Sequence, residues 1–137
     1  MKFQPDTLAG VNAITRHERG RIWVGAAAYT GSLLVPWSGA VRAWAPQAFD
    51  QLDAAAFEQI LALRPELVIF GSGQRLQFVK PALYRALIER RIGIETMDTA
   101  AACRTYNVLA SEGRAVVAAL LIEAHGAPRQ ASLVRPI

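Results

Sequence analysis

The run LVIF at residues 67–70 constrains the fold more than any other stretch of this sequence. Four successive apolar residues, which leave neither face of a strand polar, are typical of a parallel strand that helices cover on both sides. A helical segment at 81–91 and a second strand candidate at 94–97 follow this run. We therefore predict that residues 67–97 form a strand–helix–strand unit with a right-handed crossover and two parallel, neighbouring strands.

The first 45 residues predict a β-rich N-terminal part, because strand and turn signals alternate there at short spacing. Residues 12–18 and 21–25 flank a two-residue turn, which indicates an antiparallel hairpin. Two further strand candidates are 29–36, which ends at a proline, and 41–44.

Short polar residues mark the starts of two other helices. Asp53 precedes the apolar period of residues 54–63, and Asp98 or Thr99 precedes an alanine-rich segment that Gly113 ends. A carboxylate or hydroxyl at such a position accepts a hydrogen bond from a free N–H group of the first turn. These residues are therefore predicted N-caps.

The helix at 81–91 is predicted to bury the side formed by Leu83, Tyr84, Leu87 and Ile88. Gly93 is predicted to end this helix in the left-handed conformation that glycine adopts easily. Residues 115–122, AVVAALLI, fit a helix or a strand by composition. We assign a strand, because Gly113 would otherwise lie inside a single helix of about 25 residues.

The composition indicates one α/β domain at 1–124, followed by a loose tail at 125–137. Hydrophobic residues make up 53% of the 137 residues and charged residues 19%, which suits a core with both sheet faces covered. Cys103 is the single cysteine, so an intrachain disulfide and a cysteine-based zinc site are excluded, and a reducing compartment is indicated. No secretory signal is evident, and 115–122 is too short to span a bilayer. We expect a soluble, cytoplasmic protein without a transmembrane segment.

Positive charge is concentrated in the second half of the chain. The net charge is +4; residues 1–68 are balanced, whereas 69–137 hold nine basic and five acidic residues. The densest group, with Glu89 as its one acid, is Arg75, Lys80, Arg85, Arg90 and Arg91. This basic helix face could meet an acidic partner, a phosphate or an anionic lipid surface, or it could simply be solvated. No aromatic-and-basic strand pattern accompanies it, so no nucleic-acid partner is expected.

Motifs for common cofactors and nucleophiles fail at specific positions. A dinucleotide fingerprint would need a third glycine where Leu76 stands, and the sequence has no Gly-Lys-Ser/Thr phosphate loop. Ser72 lacks the flanking glycines of a nucleophile elbow. The two histidines, His17 and His125, have no partner at metal-ligand spacing. We therefore predict no catalytic residue, no metal site and no cofactor.

Two strand exits are predicted to form a crevice, because pockets form at the carboxyl ends of parallel strands in open α/β sheets. The N–H groups at the start of the third helix would point there, and with Ser72 they could hold an anion. The predicted lining is Gly71, Ser72, Gly73, Asp98, Thr99, Cys103, Arg104 and Asn107. The alternative is that the glycines only make tight strand exits and that Cys103 is a small packing residue.

A set of residues near the third helix identifies a family. The set is Asp98, Thr99, Ala102, Cys103, Thr105 and Asn107, continued by Glu112, Gly113 and Arg114. With the preceding GSG loop, it resembles domain of unknown function 498, the Mth938-like fold family, which includes the human mitochondrial complex I assembly factor 3. The resemblance spans about residues 3–124 and implies a three-layer single domain with a mixed central sheet whose last strand runs antiparallel. Ser72 stands where the family usually has threonine.

The resemblance implies a non-catalytic role. We predict a protein-binding helper in the assembly of a membrane-associated, respiratory-type complex, with a protein partner that the sequence does not identify. The alternative is a small-molecule or anion binder, or an enzyme, that uses the crevice between 71–73 and 99–107. A homo-oligomer is compatible with either function.

Overall fold

The structure is a computed structural model that describes residues 10–123. Residues 1–9 and 124–137 lie outside the described part, and with them His125 and the predicted tail at 125–137. The strands are β1 Ile14–Glu18, β2 Arg21–Val24, β3 Ala27–Tyr29, β4 Leu33–Pro36, β5 Arg42–Ala43, β6 Leu67–Gly71, β7 Gly93–Met97 and β8 Val116–Leu120. The α-helices are α1 Ala54–Glu58, α2 Arg85–Glu89 and α3 Thr99–Ser111, and the 3₁₀ turns are Phe49–Gln51, Gln59–Leu63 and Pro81–Tyr84.

A five-stranded sheet in the order β5-β4-β8-β6-β7 lies at the centre of the domain. β6 runs parallel to β7, so the predicted strand–helix–strand unit is confirmed. α3 and a three-stranded sheet, β1-β2-β3, pack on one face of the central sheet, whereas α1 and α2 pack on the other. The predicted α/β class with three layers and a mixed central sheet is therefore confirmed.

The direction predicted for the last strand is wrong with respect to its parallel neighbour. β8 is antiparallel to β4 but parallel to β6. The reason is topological: α3 returns the chain from the end of β7 to the edge of the sheet at which β6 and β7 begin. β7, α3 and β8 therefore form a second strand–helix–strand unit. The carboxyl ends of β6, β7 and β8 consequently meet at one edge of the sheet.

β8 explains why residues 115–122 form a continuous apolar run. Val116, Ala118 and Leu120 pack in the core beside α3, whereas Val117 and Ala119 pack in the core beside α1 and α2. All five residues are completely buried. A strand covered on both faces needs apolar side chains at every position, and the predicted strand assignment is confirmed.

The predicted N-terminal hairpin is confirmed, with β1 antiparallel to β2. Ile14, Ile22 and Val24 of this hairpin reach the core against α3. Sequence reasoning missed β3, because its residues Ala27–Tyr29 contain two alanines and no β-branched side chain. β3 pairs with β2 and forms the outer edge of the small sheet.

The sequence predicts where the helices start more accurately than how long they are. Asp53 accepts a hydrogen bond from the Ala56 N–H at 2.9 Å and caps α1, as predicted. The remainder of the predicted helix at 54–63 is the 3₁₀ turn Gln59–Leu63. Within residues 10–123, no helix has the length and apolar character needed to cross a bilayer.

The end of the helix before β7 differs from the prediction. Gly93 is the first residue of β7, and the left-handed residue is Arg91, with φ of 59°. The Arg91 N–H donates to the Ile88 carbonyl at 2.9 Å and the Ile92 N–H to the Leu87 carbonyl at 3.0 Å, which closes the turn as a Schellman motif. Leu87 is buried as predicted, whereas Ile88 is 52% exposed and lies on the outer side of α2.

Candidate functional site

A cleft of about 220 Å³ lies where the three parallel strands end, beside the tip of the N-terminal hairpin. Its lining comprises His17, Glu18, Arg19, Gly20, Ile22, Gly73, Gln74, Asp98, Ala100, Leu121, Ile122 and Glu123. Of the predicted crevice residues, only Gly73 and Asp98 belong to this cleft. His17 and Glu123 were not among the predicted lining residues. The hairpin contact that brings His17 here is long-range, and Glu123 follows β8, whose parallel direction relative to β6 was not predicted.

Thr99, the first residue of α3, holds the ends of the strands together. Its hydroxyl accepts from the Gly73 N–H and donates to the Leu121 carbonyl, both at 2.9 Å. The Thr99 N–H donates to the Gly73 carbonyl at 2.9 Å, and the Leu121 N–H donates to the Gly71 carbonyl at 3.0 Å. Thr99 itself is buried, so this hydroxyl is a structural link between the loop, α3 and β8.

The two glycines of the loop are needed for different reasons. A Cβ atom at Gly71 would lie 2.9 Å from Thr99 Oγ1 and 3.0 Å from Thr99 Cα, so the close approach of α3 requires glycine. Gly73 has φ of 105°, a backbone conformation that residues other than glycine rarely adopt. A Cβ there would also lie 3.2 Å from the Glu123 carboxylate.

Ser72 is completely buried and serves the loop that contains it. Its hydroxyl donates to the Arg75 carbonyl at 2.7 Å and accepts from the Gln77 N–H at 3.0 Å. The Ser72 N–H donates to the Met97 carbonyl at 2.9 Å. These bonds direct the side chain into the segment that follows β6 and away from the cleft.

Most of the free N–H groups at the start of α3 already have hydrogen-bond acceptors within the domain. Asp98 caps the helix, because its Oδ1 accepts from the Ala101 N–H at 2.9 Å, and this predicted cap is confirmed. The Thr99 N–H is already bonded to the Gly73 carbonyl. Two of the first three N–H groups of α3 are therefore occupied, which leaves fewer donors for an anion than the sequence alone suggests.

A second cleft, of about 240 Å³, lies between β1 and α3. Its lining comprises Ile14, Thr15, Arg16, His17, Ala100, Cys103, Arg104 and Asn107. The predicted crevice residues are thus divided between two neighbouring clefts, and Ala100 and His17 line both. Gly71, Ser72 and Thr99 lie beneath these clefts as buried supports.

Asn107 uses its amide to bind the edge of β1. Its Oδ1 accepts from the Ile14 N–H at 2.9 Å, and its Nδ2 donates to the Ile14 carbonyl at 2.7 Å. The side chain thereby imitates the backbone of a neighbouring strand. It fixes the small sheet to α3 and has two of its polar groups engaged.

Two side chains of the second cleft have shifted pKa values. Burial raises the pKa of the Cys103 thiol to about 12, although the nearby Arg104 opposes the shift, so this thiol is protonated at neutral pH. Partial burial lowers the pKa of His17; Arg104 adds to this shift and Asp98 opposes it. His17 is therefore mainly neutral near pH 7.

The basic residues predicted as a helix face belong to a surface that is only partly helical. Of the five, Arg85 lies in α2, while Arg75 and Lys80 lie in the irregular segment before it and Arg90 and Arg91 follow the helix. All five are exposed, and none forms an ion pair with another residue of the described range. Leu76, Phe78 and Ile88 of the same segment are 52%, 71% and 52% exposed. We call these eight side chains the apolar–basic surface.

The described residues bring no three His, Cys, Asp or Glu side chains close enough to share a metal ion. Glu66 and Arg114 form an exposed ion pair at 2.9 Å, which joins the start of β6 to the turn before β8. This pair lies at the opposite end of β6 from Gly71 and the clefts.

Comparison with known proteins places this geometry in a family. The model of the family described as "Protein of unknown function (DUF498/DUF598)" matches residues 14–121. The chain is 33% identical over 105 residues to the bovine protein named NADH dehydrogenase [ubiquinone] 1 alpha subcomplex assembly factor 3. That match covers 75% of this chain and 56% of the bovine protein. The chain thus spans about half the length of this relative.

Two bacterial proteins match over more of their length. An uncharacterised protein of Rhodobacter capsulatus is 34% identical over 119 residues, covering 82% of this chain and 86% of that protein. The solution structure of a Bordetella pertussis protein, described as a Mth938-like domain, superposes with a TM-score of 0.80. It has 28% identity, and the superposition covers 95% of this chain and 98% of that structure. With a family model over most of its length and the same arrangement of strands and helices, this chain belongs to the DUF498/DUF598 family and has the Mth938-like fold.

Proposed function

We propose that this protein is a non-catalytic binding protein that helps to assemble a membrane-associated complex of the respiratory type. The observation on which the proposal rests is the apolar–basic surface, where three large apolar side chains and five cations face solvent along one segment. Exposed large apolar side chains in an otherwise packed domain mark interaction sites, and these three all come from residues 76–88. This surface holds the protein where the membrane-associated complex is assembled.

The polar groups around the clefts support a binding role over a chemical one. The Ser72 and Thr99 hydroxyls and the Asn107 amide are each hydrogen-bonded to the backbone of the same domain. The Cys103 thiol is buried and protonated. These groups stabilise the joint between α3, β6 and the hairpin, and a nucleophile or general base would instead need a free, activated atom facing substrate.

The relatives support the assembly part of the proposal. The bovine relative is named as an assembly factor, and its match covers three quarters of this chain. The family model matches residues 14–121. We infer that the Mth938-like domain is the part of such assembly factors that binds other proteins.

The proposal is tested by cross-linking the tagged full-length protein in its native cells and purifying it from detergent-solubilised membranes. We expect to recover subunits of one membrane-associated complex in partly assembled form. Deleting the gene should also increase the amount of those partly assembled forms on native gels. Recovery of the protein without subunits of a complex, together with unchanged assembly in the deletion strain, would refute the proposal.

A second candidate function is the binding of a small molecule or anion, and the two adjoining clefts favour it. Arg104 is exposed at the rim of the second cleft, and His17 lies between the two. Ala100 lines both clefts, so Ala100→Leu would fill them with one substitution. Native mass spectrometry of the protein purified from its own cells should then show a ligand on the wild type that Ala100→Leu lacks. A wild type without any bound ligand would contradict this candidate.

A further inference from the structure

The apolar–basic surface includes the irregular segment that follows β6. Residues 75–80 have no regular secondary structure, and Gln77 and Val79 turn inward while Leu76, Phe78 and Lys80 are exposed. Phe78 is the most exposed of the large apolar side chains among residues 10–123. None of the residues that line the two clefts beside α3 comes from residues 75–91.

Hydrogen bonds and one buried side chain hold this irregular segment in place. The Ser72 hydroxyl bonds to the backbone at Arg75 and Gln77, so the start of the segment has a fixed path. Val79 is buried in the core beside α1 and α2, which anchors the other end. Between these anchors, Leu76 and Phe78 are presented outward by a supported backbone.

The charge on this surface is mostly positive. Residues 74–91 contain five cations and one acid, Glu89. The cations have no ionic partner among the residues that the structure describes. Arg85 and Ile88 are three residues apart on the outer side of α2, so cation and apolar side chain lie next to each other there as well.

We propose that the apolar–basic surface docks directly on an anionic phospholipid bilayer. Phe78 and Leu76 enter the boundary between headgroups and acyl chains, and the five cations contact the lipid phosphates. The inference rests on the proposed function and extends it, because it names lipid as the contact of this surface and leaves other surfaces of the domain for the protein subunits.

The combination of cations and exposed apolar side chains favours an anionic bilayer over an acidic protein segment. An acidic segment would pair with the cations but leave Leu76 and Phe78 in water, whereas the boundary of an anionic bilayer accepts both kinds of side chain. Five cations against the single acid Glu89 give this surface the net positive charge that such a bilayer attracts. Each cation near anionic lipid changes the affinity by about fivefold.

The test uses the full-length protein and vesicles in a flotation assay. One set of vesicles contains phosphatidylcholine and phosphatidylglycerol in equal parts, and the other contains phosphatidylcholine alone. The surface variant combines Leu76→Ser, Phe78→Ser, Lys80→Gln and Arg85→Gln, all at exposed or solvent-facing positions that leave the core intact. The control variant combines Val108→Ser and Arg42→Gln, an exposed apolar residue and an exposed cation elsewhere on the domain.

We expect the wild type and the control variant to bind the anionic vesicles and to be released by high salt. The two lost cations alone should weaken binding of the surface variant by about 25-fold. Equal binding of the wild type to both kinds of vesicle, or equal binding of the surface variant and the wild type to anionic vesicles, would overturn the proposal.

Measurements in detergent separate this inference from the proposed function. If the surface variant loses vesicle binding but still recovers the protein subunits from detergent extracts, lipid is the contact of this surface. If the wild type ignores anionic vesicles and the surface variant loses the subunits, the surface binds protein and the lipid proposal is wrong. If neither the wild type nor the surface variant recovers subunits from detergent extracts, the proposed function fails, whether or not these proteins bind vesicles.

Discussion

Replacing Thr99 with valine tests whether the joint at the ends of the strands is held as described. Valine keeps the size and branching of threonine but has no hydroxyl. The Gly73 N–H would lose its acceptor and the Leu121 carbonyl would lose its donor, both within a buried region. Because Thr99 is only 5% exposed, water does not readily replace the lost partner.

The expected cost follows from these two groups. A buried polar group without its partner costs about 1–3 kcal/mol, so Thr99→Val should lower the free energy of unfolding by about 3 kcal/mol. For a domain of this size the melting temperature should fall by about 10 °C. Thr99→Ser keeps the hydroxyl and removes one methyl group, which should cost only about 1 kcal/mol.

Urea unfolding, followed by circular dichroism, measures these differences. We expect the midpoint to fall strongly for Thr99→Val and slightly for Thr99→Ser, with the same slope for all three proteins. If the valine variant is as stable as the serine variant, the two hydrogen bonds of the Thr99 hydroxyl do not stabilise the joint and the reasoning is refuted.

Three further predictions concern the same region and one distant ion pair. Asp98→Ala should lower the unfolding free energy by about 1 kcal/mol through loss of the α3 cap, while Asp98→Asn should cost much less; equal melting temperatures for both would contradict the cap. The Cys103 thiol should react with a disulfide reagent at least about a hundredfold more slowly in the folded protein than in urea at pH 8, because burial raises its pKa to about 12; similar rates would show an accessible thiolate. The hydrogen bond from Arg114 lowers the pKa of Glu66, so the stabilisation is present above the ordinary value of 4.5 and is lost as the pH falls through the lowered pKa. Acid unfolding of Arg114→Gln should show a weaker dependence on pH in that range, and an unchanged profile would mean that the pair does not couple to folding.

The sequence predicted features that depend on neighbours along the chain. Asp53 was identified as a cap, and Asp98 as one of two candidates with Thr99, because a cap needs only a short polar side chain before a helical period. The parallel unit at 67–97 was identified because a strand covered on both faces needs consecutive apolar residues. Local chemistry is sufficient for such features.

Features that depend on tertiary contacts were missed or misjudged. The left-handed turn after α2 uses Arg91, although glycine is preferred at such a position, because the chain must enter β7 already at Gly93. The exposure of Ile88 follows from where α2 lies on the sheet, which periodicity in a five-residue helix cannot define.

A cleft at the carboxyl ends of the parallel strands was expected from the sequence, whereas most of its lining was not. His17 reaches these strand ends through the hairpin, and Glu123 reaches them because β8 runs parallel to β6. Both placements depend on pairing between distant parts of the chain, for which the local pattern holds no signal.

Complementation of a gene deletion tests the central claim most directly. Cells without the gene receive the wild type, the surface variant or the cleft-filling Ala100→Leu variant at equal protein levels, and the assembled membrane complex is quantified on native gels. We expect the wild type and Ala100→Leu to restore assembly, whereas the surface variant should not. Restoration by the surface variant together with failure of Ala100→Leu would contradict the central claim, since the clefts and not the apolar–basic surface would then be the functional site.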